Sequence, residues 1–298
     1  MLWNRARRSD NVNDTREGKD ARKTTGKIIG ATVAVATLAG AGIYSTVSTM
    51  SDDVPVSIPA PSDTPPQHSA AMVSEDPQLV FIQSVLGDTE DTWKQLFAQT
   101  GRHYPEPTLT LFSERVASAC GFANSASGPF YCPTNRQVYL DLAFFRVMAR
   151  QFSVIGDFAQ SYIIAHEIGH HVQLELGLSD PFEKALSDRQ PVTGDGGLEV
   201  RAELQADCLA GVWAHHAQKR LLWLEVGDID AALHAATVFG DDQLQHAQNN
   251  VIRPETFSHG TSAQRVTWFS AGFAEGRIDA CDTFAATPLW FTPDNVNR

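Results

Sequence analysis

The sequence predicts an α+β fold, in which a mostly helical domain with a small antiparallel sheet follows a single transmembrane helix. Three features predict it: an uncharged segment near the N-terminus, two alternating segments between residues 107 and 141, and helical apolar spacing in the rest of the chain. Few strands followed by many helices are typical of α+β domains. Of the 298 residues, 43% are apolar and 19% are charged, which suits a domain with a sizeable core.

The chain carries its charge unevenly. Residues 1–27 hold eight Lys/Arg against four Asp/Glu, whereas the remainder holds 15 against 31. The net charge of −12 argues against nucleic acid as a partner, because phosphate binding needs a basic face. A basic head on an acidic body indicates that the two parts occupy different compartments.

A run of 24 uncharged residues, IIGATVAVATLAGAGIYSTVSTMS, follows the basic head. About 20 apolar residues suffice for a helix to cross a bilayer, so we interpret residues 28–50 as a transmembrane anchor. A buried core helix and a cleaved signal peptide are the alternatives, the latter because residues 39–41 read AGA. A core helix of this length would normally show a polar face, and a long basic head is more typical of an anchor than of a signal peptide.

The anchor divides the chain into four parts. Residues 1–27 are expected in the cytoplasm and everything after about residue 50 outside it, because positive charge stays inside. Residues 51–76 are rich in Pro, Ser and Asp and predict a linker, stiffened locally by its prolines. The globular domain is then predicted over residues 77–298.

The four cysteines fit an extracytoplasmic domain, where an even count most simply gives two disulfides. Cys120 and Cys132 flank a Gly/Ser/Pro-rich loop that a bridge would close, and Cys208 and Cys281 would form the remaining pair. A zinc site made of these cysteines is the weaker alternative, because no CxxC spacing occurs.

Apolar periodicity and end signals place the elements of this domain. Asp157 and Gln160 form a candidate capping box, and Gly177 is a natural stop for the helix between them. The predicted elements are a helix ending at Gly101, strands at 107–112 and 136–141, and helices at about 158–176, 197–218, 228–248 and 262–275.

The helix at 158–176 contains the sequence AHEIGHHV. On a helix His166 and His170 lie one turn apart on one face, so both rings can reach one metal ion. Glu167 lies about 100° round the helix, where it could take a proton from water near that ion. Exposed, solvated histidines are the alternative reading, but they do not explain the apolar frame of SYIIAHEIGHHV.

A hydrolytic zinc site needs a third protein ligand and one open position. Gln173 and Leu176 occupy the positions where one class of zinc peptidases has Gly and a third His. The helix at 197–218 instead offers acidic residues at four-residue spacing. Glu203 is the first candidate and Glu199 the second, with Asp207 placed to orient a ligating histidine. A solvated acidic stripe is the alternative, which the small apolar neighbours of these residues make less attractive.

Six segments resemble the neutral zinc metallopeptidase family of bacterial membrane-anchored proteins, over roughly residues 75 to 285. The segments are CGFANSASGPFYCP, VYLDLAFF, GDFAQSYIIAHEIGHHVQ, ELQADCLAGVWAHH, SHGTSAQRVTWF and GRIDACDTF. The resemblance implies a zincin-like domain that binds Zn²⁺ through His166, His170 and Glu203, in the manner of glutamate-zincins, with Glu167 as catalytic acid/base. It also implies that the cysteine pairs are a family feature.

These observations predict a membrane-anchored zinc peptidase that hydrolyses peptides or proteins outside the cytoplasm. The strand at 136–141 is expected to pair with an extended substrate. His259 is the first candidate for a second catalytic residue that stabilises the oxyanion, with Tyr139 and Tyr131 behind it. The rival functions are a catalytically silent zinc-binding scaffold and a zinc amidase that acts on cell-wall material.

Overall fold

The computed structural model describes residues 1–16, 75–287 and 289. The predicted anchor at 28–50 and the predicted linker as far as residue 74 lie outside the described residues. Among the described residues, every helix falls short of the length and apolarity that a bilayer crossing requires.

Helices dominate the described part of the chain, as the apolar spacing predicts. The α-helices are α1 (Pro77–Gln99), α2 (Ala143–Phe152), α3 (Asp157–Leu176), α4 (Asp180–Ser187), α5 (Leu198–Leu221), α6 (Asp228–Val238), α7 (Asp241–Asn249) and α8 (Ser262–Glu275). Short 3-10 turns occur at Trp3–Arg5, Ser125–Ser127, Pro254–Thr256 and Ile278–Cys281.

The strands form a mixed sheet and a separate hairpin. They are β1 (Val12–Asp14), β2 (Thr108–Phe112), β3 (Arg115–Ser118), β4 (Gly121–Asn124), β5 (Phe130–Cys132) and β6 (Gln137–Asp141). The four-stranded sheet has the order β1-β2-β6-β5, with parallel β1–β2 and β2–β6 pairs and an antiparallel β5–β6 pair; β3 and β4 form the antiparallel hairpin.

This sheet corrects two expectations. The sheet is mixed and not purely antiparallel, because its neighbouring strands β2 and β6 are parallel. The chain between them forms the β3–β4 hairpin and β5. The predicted strand at 136–141 corresponds to β6, which has a hydrogen-bonded neighbour on each side and cannot accept a substrate strand. β5 is the edge strand of this sheet on the side of β6.

The N-terminal residues belong to the folded unit. β1 pairs with β2, and the side chain of Ser9 is completely buried against α1. The predicted boundary at residue 27 is therefore wrong for residues 1–16, since the basic head supplies a strand of the sheet. The error arose because a three-residue strand in a charged segment gives almost no alternating pattern.

α3, α5 and α8 pack closely and carry the core of the molecule. A Cβ atom on Gly169 would lie 2.9 Å from the Ala206 carbonyl oxygen, so the glycine of the HEIGH sequence lets α3 approach the α5 backbone. Ala202 and Ala206 are buried at this contact, as expected from their small size. The close approach places one side of α5 against the histidine-bearing face of α3.

The end signals of the helices are only partly as predicted. Gly177 ends α3 in the left-handed conformation, with φ of 71°. The capping box at Asp157 and Gln160 is absent, since Gly156 is the N-cap residue and Asp157 accepts a hydrogen bond from the Trp3 indole. The predicted helix at 228–248 is two helices, which separate at an extended Gly240.

Both predicted disulfides are present. Cys120 bonds to Cys132 across the loop that contains β4, and Cys208 bonds to Cys281. The second bridge ties the middle of α5 to the segment after α8, 73 residues away.

Candidate metal centre

α3 and α5 bring three side chains with metal-binding atoms together. His166, His170 and Glu203 each offer one ligand atom, and these atoms all lie within 4.8 Å of one another. The Glu203 carboxylate lies 3.1 Å from His166 Nε2 and 3.4 Å from His170 Nε2. Glu199, the second candidate ligand, is not part of this group.

The other ring nitrogen of each histidine has its own acceptor. His166 Nδ1 lies 2.8 Å from Asp207 Oδ1, and His170 Nδ1 lies 2.9 Å from Gln173 Oε1. The Gln173 amide nitrogen donates to the Ala202 carbonyl and to the Gln205 side chain, which fixes its oxygen towards His170. The acceptors at Nδ1 therefore turn Nε2 of both rings towards Glu203, the orientation that metal-ligating histidines require.

Asp207 is the centre of a buried polar network. Arg265 donates from Nε to Asp207 Oδ2 at 2.9 Å and from Nη2 to Oδ1 at 3.0 Å, and the Tyr162 hydroxyl donates to Oδ1 at 2.5 Å. Asp207 is fully buried and Arg265 is 4% exposed, so neither charge is solvated by bulk water. Paired charges with satisfied hydrogen bonds are the form in which such groups are tolerated inside proteins.

The electrostatics keep both carboxylates ionised. Burial alone would raise the pKa of Asp207, but Arg265 and His166 outweigh it and lower that pKa to about 2. His170 and His166 likewise lower the pKa of Glu203 against the effect of burial. Burial disfavours the charged form of His166, yet Asp207 and Glu203 raise its pKa to about 10. The site therefore favours positive charge between these carboxylates.

Glu167 lies beside this group and has a different environment. Its side chain is buried and lines the same cavity of about 400 Å³ as His166, His170 and Glu203. Burial raises the pKa of its carboxyl, while His166 and His170 act in the opposite direction. No described residue forms a hydrogen bond with the carboxylate. The carboxylate is thus not held by a hydrogen bond that stabilises the fold, and its position suits proton transfer in the cavity.

The three candidates for oxyanion stabilisation differ in position. Tyr139 is not among the residues that line the cavity, and its hydroxyl is hydrogen-bonded to Asn135 and Gln137, so its position does not support this role. Tyr131 lines the cavity, but its hydroxyl lies 2.9 Å from His171 Nδ1. His171 Nε2 donates to the Pro105 carbonyl, which leaves Nδ1 to accept the tyrosine proton.

His259 also lines the cavity, on the loop before α8. The loop is fixed by Asp241, whose Oδ2 accepts hydrogen bonds from the backbone N–H groups of Ser258, His259 and Gly260. Burial lowers the pKa of His259, but the Asp241 and Glu203 carboxylates raise it overall. Of the three candidates, His259 alone both lines the cavity and has carboxylates nearby, Asp241 and Glu203, that stabilise a positive charge on its ring.

Three residues of the site were missed by the sequence reasoning. In the sequence Gln173 marks only a departure from a third-histidine motif, although its i,i+3 spacing from His170 places it on the same face of the helix. Arg265 and Tyr162 contact Asp207 from α8 and from the first half of α3. No local signal marks Arg265, because its partner is 58 residues away in the sequence.

The donor set fits zinc. Zinc in hydrolases binds imidazole nitrogen and carboxylate oxygen, and two ligands on one tetrahedral ion with bonds of about 2.1 Å lie roughly 3.4 Å apart. Glu203 Oε2 lies 3.1 Å from His166 Nε2 and Glu203 Oε1 lies 3.4 Å from His170 Nε2, which is close to this spacing, and the three ligand atoms all lie within 4.8 Å of one another. Both histidines also have the outer acceptor that fixes the required tautomer.

Comparison with known proteins agrees with these features. The family model described as "Putative neutral zinc metallopeptidase" matches residues 1–284. The chain is 40% identical over 295 residues to "Uncharacterized protein YpfJ" of Escherichia coli K12, covering 95% of this chain and 99% of that protein. It is 43% identical over 207 residues to "Uncharacterized protein Mb2605" of Mycobacterium bovis, covering 66% and 67% of the two chains. No solved structure matches. The chain therefore belongs to the neutral zinc metallopeptidase family.

Proposed function

We propose that this protein is a zinc-dependent peptidase with a zincin-like domain, which hydrolyses peptide bonds outside the cytoplasm. The observation that carries the proposal is the convergence of His166, His170 and Glu203 in one cavity, beside the unbonded carboxylate of Glu167. The two disulfides support a location outside the reducing cytoplasm. A scaffold that only bound zinc would have no use for a buried Glu167 without a hydrogen-bond partner.

The residues of the site divide the chemistry between them. His166, His170 and Glu203 would hold a zinc ion, which would supply Lewis-acid chemistry towards a carbonyl group and water. Glu167 takes a proton from water in the cavity and passes it to the departing amine nitrogen. His259, held by Asp241, donates a hydrogen bond to the oxygen that gains negative charge.

The edge strand β5 supports a peptide as the substrate. Phe130 and Tyr131 of β5 line the cavity, and β5 has β6 as its only neighbour in the described sheet. An extended peptide that pairs with this edge would pass in front of the metal ligands. This replaces β6 as the expected pairing strand.

The Glu167→Gln variant of the full chain tests the proposal. Removal of the base should lower casein hydrolysis at least about 100-fold, while the zinc content per chain stays at the wild-type value. Glu175→Gln is the matched control, because Glu175 lies on the same helix and pairs with Arg136 at the surface. Chelator should abolish the wild-type activity.

Two results would count against a peptidase. Zinc-loaded wild-type protein that leaves casein intact but cleaves cell-wall fragments in a chelator-sensitive manner would indicate the amidase. Zinc-loaded protein that cleaves neither, with Glu167→Gln indistinguishable from wild type, would indicate the scaffold.

A further inference from the structure

The metal-binding group lies between two cavities. The first, of about 400 Å³, contains Glu167 and His259. The second, of about 260 Å³, extends from His170 and Glu203 towards α4, where Phe182 and Leu186 line it. His170, Glu203 and Tyr131 line both cavities. A substrate chain can therefore occupy space on both sides of the metal ligands.

Five apolar residues line the first cavity together with its ionisable groups, and we call them its apolar wall. Its members come from β5, α2, α3, the α6–α7 connection and α7, and they are Phe130, Phe144, Ile163, Phe239 and Leu244. Phe144 and Phe239 stack with ring centroids 5.8 Å apart. None of these side chains is needed to hold the histidines, and aromatic walls of this kind select apolar ligand groups.

We infer that this wall is a specificity pocket for a bulky apolar side chain next to the scissile bond, and that the enzyme cleaves internal peptide bonds. The inference rests on the proposed peptidase function and adds the substrate class to it. Phe239 is the specificity-determining residue, because it lines the cavity and its ring stacks on Phe144, another lining residue, while its carbonyl oxygen accepts from Arg265. A shorter side chain at this position keeps that backbone hydrogen bond.

A peptide-library digest tests this inference. The wild-type enzyme should cut internal bonds flanked on one fixed side by Phe, Leu or Met, as read by mass spectrometry. Phe239→Ala should lower kcat/KM for those peptides about 10- to 100-fold and leave peptides with small residues at that position nearly unchanged. Zinc content should not change in this variant.

Phe152→Ala is the matched control. Phe152 contacts the Phe239 ring with centroids 5.7 Å apart, but it does not line the cavity, so its loss perturbs the same cluster without changing the pocket wall. Cleavage confined to terminal residues, or equal cleavage with and without apolar side chains, would overturn the inference and leave the peptidase function intact. Absence of any cleavage by the zinc-loaded wild type would instead reject the peptidase function itself.

A second inference follows independently from the N-terminal residues. Leu109 N–H donates to the Asn11 carbonyl and Thr15 N–H to the Leu111 carbonyl, so β1 is fully incorporated in the sheet. Ser9 Oγ donates to the buried Glu90 carboxylate at 2.6 Å. These contacts are part of the core and not a surface association.

α1 has a surface adapted to this segment. A Cβ atom on Gly87 would lie 2.4 Å from the Arg7 carbonyl oxygen, so any larger residue would displace the N-terminal chain. Arg7 pairs with Glu90 and Asp91 on the same helix. The Trp3 indole donates to Asp157, the first residue of the histidine-bearing helix α3. The N-terminal residues thus support the helix that holds the metal ligands.

The two described segments on either side of the gap are in contact where they meet it. Arg16, the last described residue before the gap, pairs with Asp76 at 2.8 Å. A single bilayer crossing between these residues would separate β1 from β2 by the thickness of the membrane, about 30 Å. We infer that residues 1–16 and the metal centre occupy the same compartment, which replaces the expectation that a membrane separates the N-terminal residues from the domain.

Cysteine labelling of the full chain in intact cells tests this arrangement. Asp10→Cys and Val226→Cys place single thiols at exposed positions of the N-terminal segment and the domain, and the four native cysteines are already in disulfides. A membrane-impermeant maleimide should label both variants alike. Labelling of one variant and protection of the other in intact cells, with both labelled after detergent lysis, would overturn the inference.

Equal labelling of the two variants also tests the shared compartment and the proposed extracytoplasmic function separately. Labelling of both thiols in intact cells agrees with extracytoplasmic action. Protection of both supports the shared compartment but places the metal centre inside the cell, which rejects the extracytoplasmic part of the proposed function.

Discussion

Asp207 determines the orientation and basicity of His166, one of the candidate zinc ligands. It accepts hydrogen bonds from His166, Tyr162 and Arg265, so both of its oxygens are occupied and the carboxylate cannot easily rotate. The fixed carboxylate holds the His166 proton on Nδ1 and increases the basicity of the ring. Outer partners of this kind adjust metal affinity without touching the metal.

The Asp207→Asn variant should weaken zinc binding about 10- to 100-fold, because an amide oxygen is a weaker acceptor for His166 and its nitrogen repels Arg265. Competition with a chromogenic chelator measures the affinity. Glu199→Gln is the matched control on the same helix, and its zinc affinity should equal that of the wild type. A loss of affinity in Glu199→Gln but not in Glu203→Gln would identify Glu199 as the ligand instead.

The raised pKa of His166 predicts how zinc binding depends on pH. Since that pKa is about 10, zinc must displace a proton from His166 throughout the neutral range, whereas the ionised Glu203 releases none. The His166 contribution should therefore raise zinc affinity about tenfold per pH unit between pH 6 and 9. Calorimetric titration in buffers of different ionisation enthalpy measures the proton release. A pH-independent affinity would contradict the assignment.

At the scale of elements, the contact between α5 and α8 depends on glycine. A Cβ atom on Gly272 would lie 1.9 Å from the Cys208 carbonyl oxygen, and one on Gly211 would lie 2.2 Å from the Phe269 carbonyl oxygen. Each helix thus meets the backbone of the other. This distance brings Arg265 of α8 within hydrogen-bond reach of Asp207.

Gly272→Ala should consequently destabilise the protein, although alanine is the better helix former. We expect the free energy of unfolding to fall by about 3 kcal/mol or more, since rigid backbone atoms have to move apart. Urea denaturation followed by circular dichroism measures this change. Ser270→Ala, at an exposed position of the same helix, should change stability by less than about 0.5 kcal/mol. Equal stability of the two variants would show that the helices separate at little cost.

The elements with strong local signals were predictable from the sequence, and those defined by distant partners were not. α3 ends at Gly177 and α8 spans Ser262–Glu275 as expected, because apolar period and end signals agree there. β1 and β5 are three residues long, and only their neighbours make them strands. The strand order that removes β6 from the sheet edge is likewise invisible in a single sequence.

The same division holds within the site. His166, Glu167 and His170 follow from spacing on one helix. Glu203 follows from its four-residue spacing to Asp207, on a helix whose small apolar residues argue against a solvated acidic stripe. Arg265 could not be inferred, because an isolated arginine in an amphipathic helix normally faces solvent. Burial of a charge is decided by the tertiary partner and not by the local pattern.

At the scale of the whole molecule, two covalent bridges stabilise different parts of the fold. Cys120–Cys132 closes a local loop with a sequence separation of 12, whereas Cys208–Cys281 has a separation of 73 and starts next to Asp207. The longer loop removes more conformational freedom from the unfolded chain. Its carbonyl at Cys281 also accepts a hydrogen bond from Gln205, which in turn contacts Gln173. The second bridge therefore has two effects: it stabilises the fold, and it holds the residues that orient His170.

The paired variants Cys120→Ser/Cys132→Ser and Cys208→Ser/Cys281→Ser separate these contributions. On loop entropy alone, the first pair should cost about 3 kcal/mol and the second about 4 kcal/mol of unfolding free energy. The second pair should also reduce zinc affinity, because Gln205 and Gln173 lose their fixed partner, while the first pair should leave zinc affinity unchanged. Thermal unfolding with and without zinc distinguishes the two effects. A different result would contradict this: both pairs lower stability, but neither alters zinc affinity. The hydrogen bonds from Cys281 through Gln205 and Gln173 would then not position His170, and the bridge would act on the unfolded chain alone.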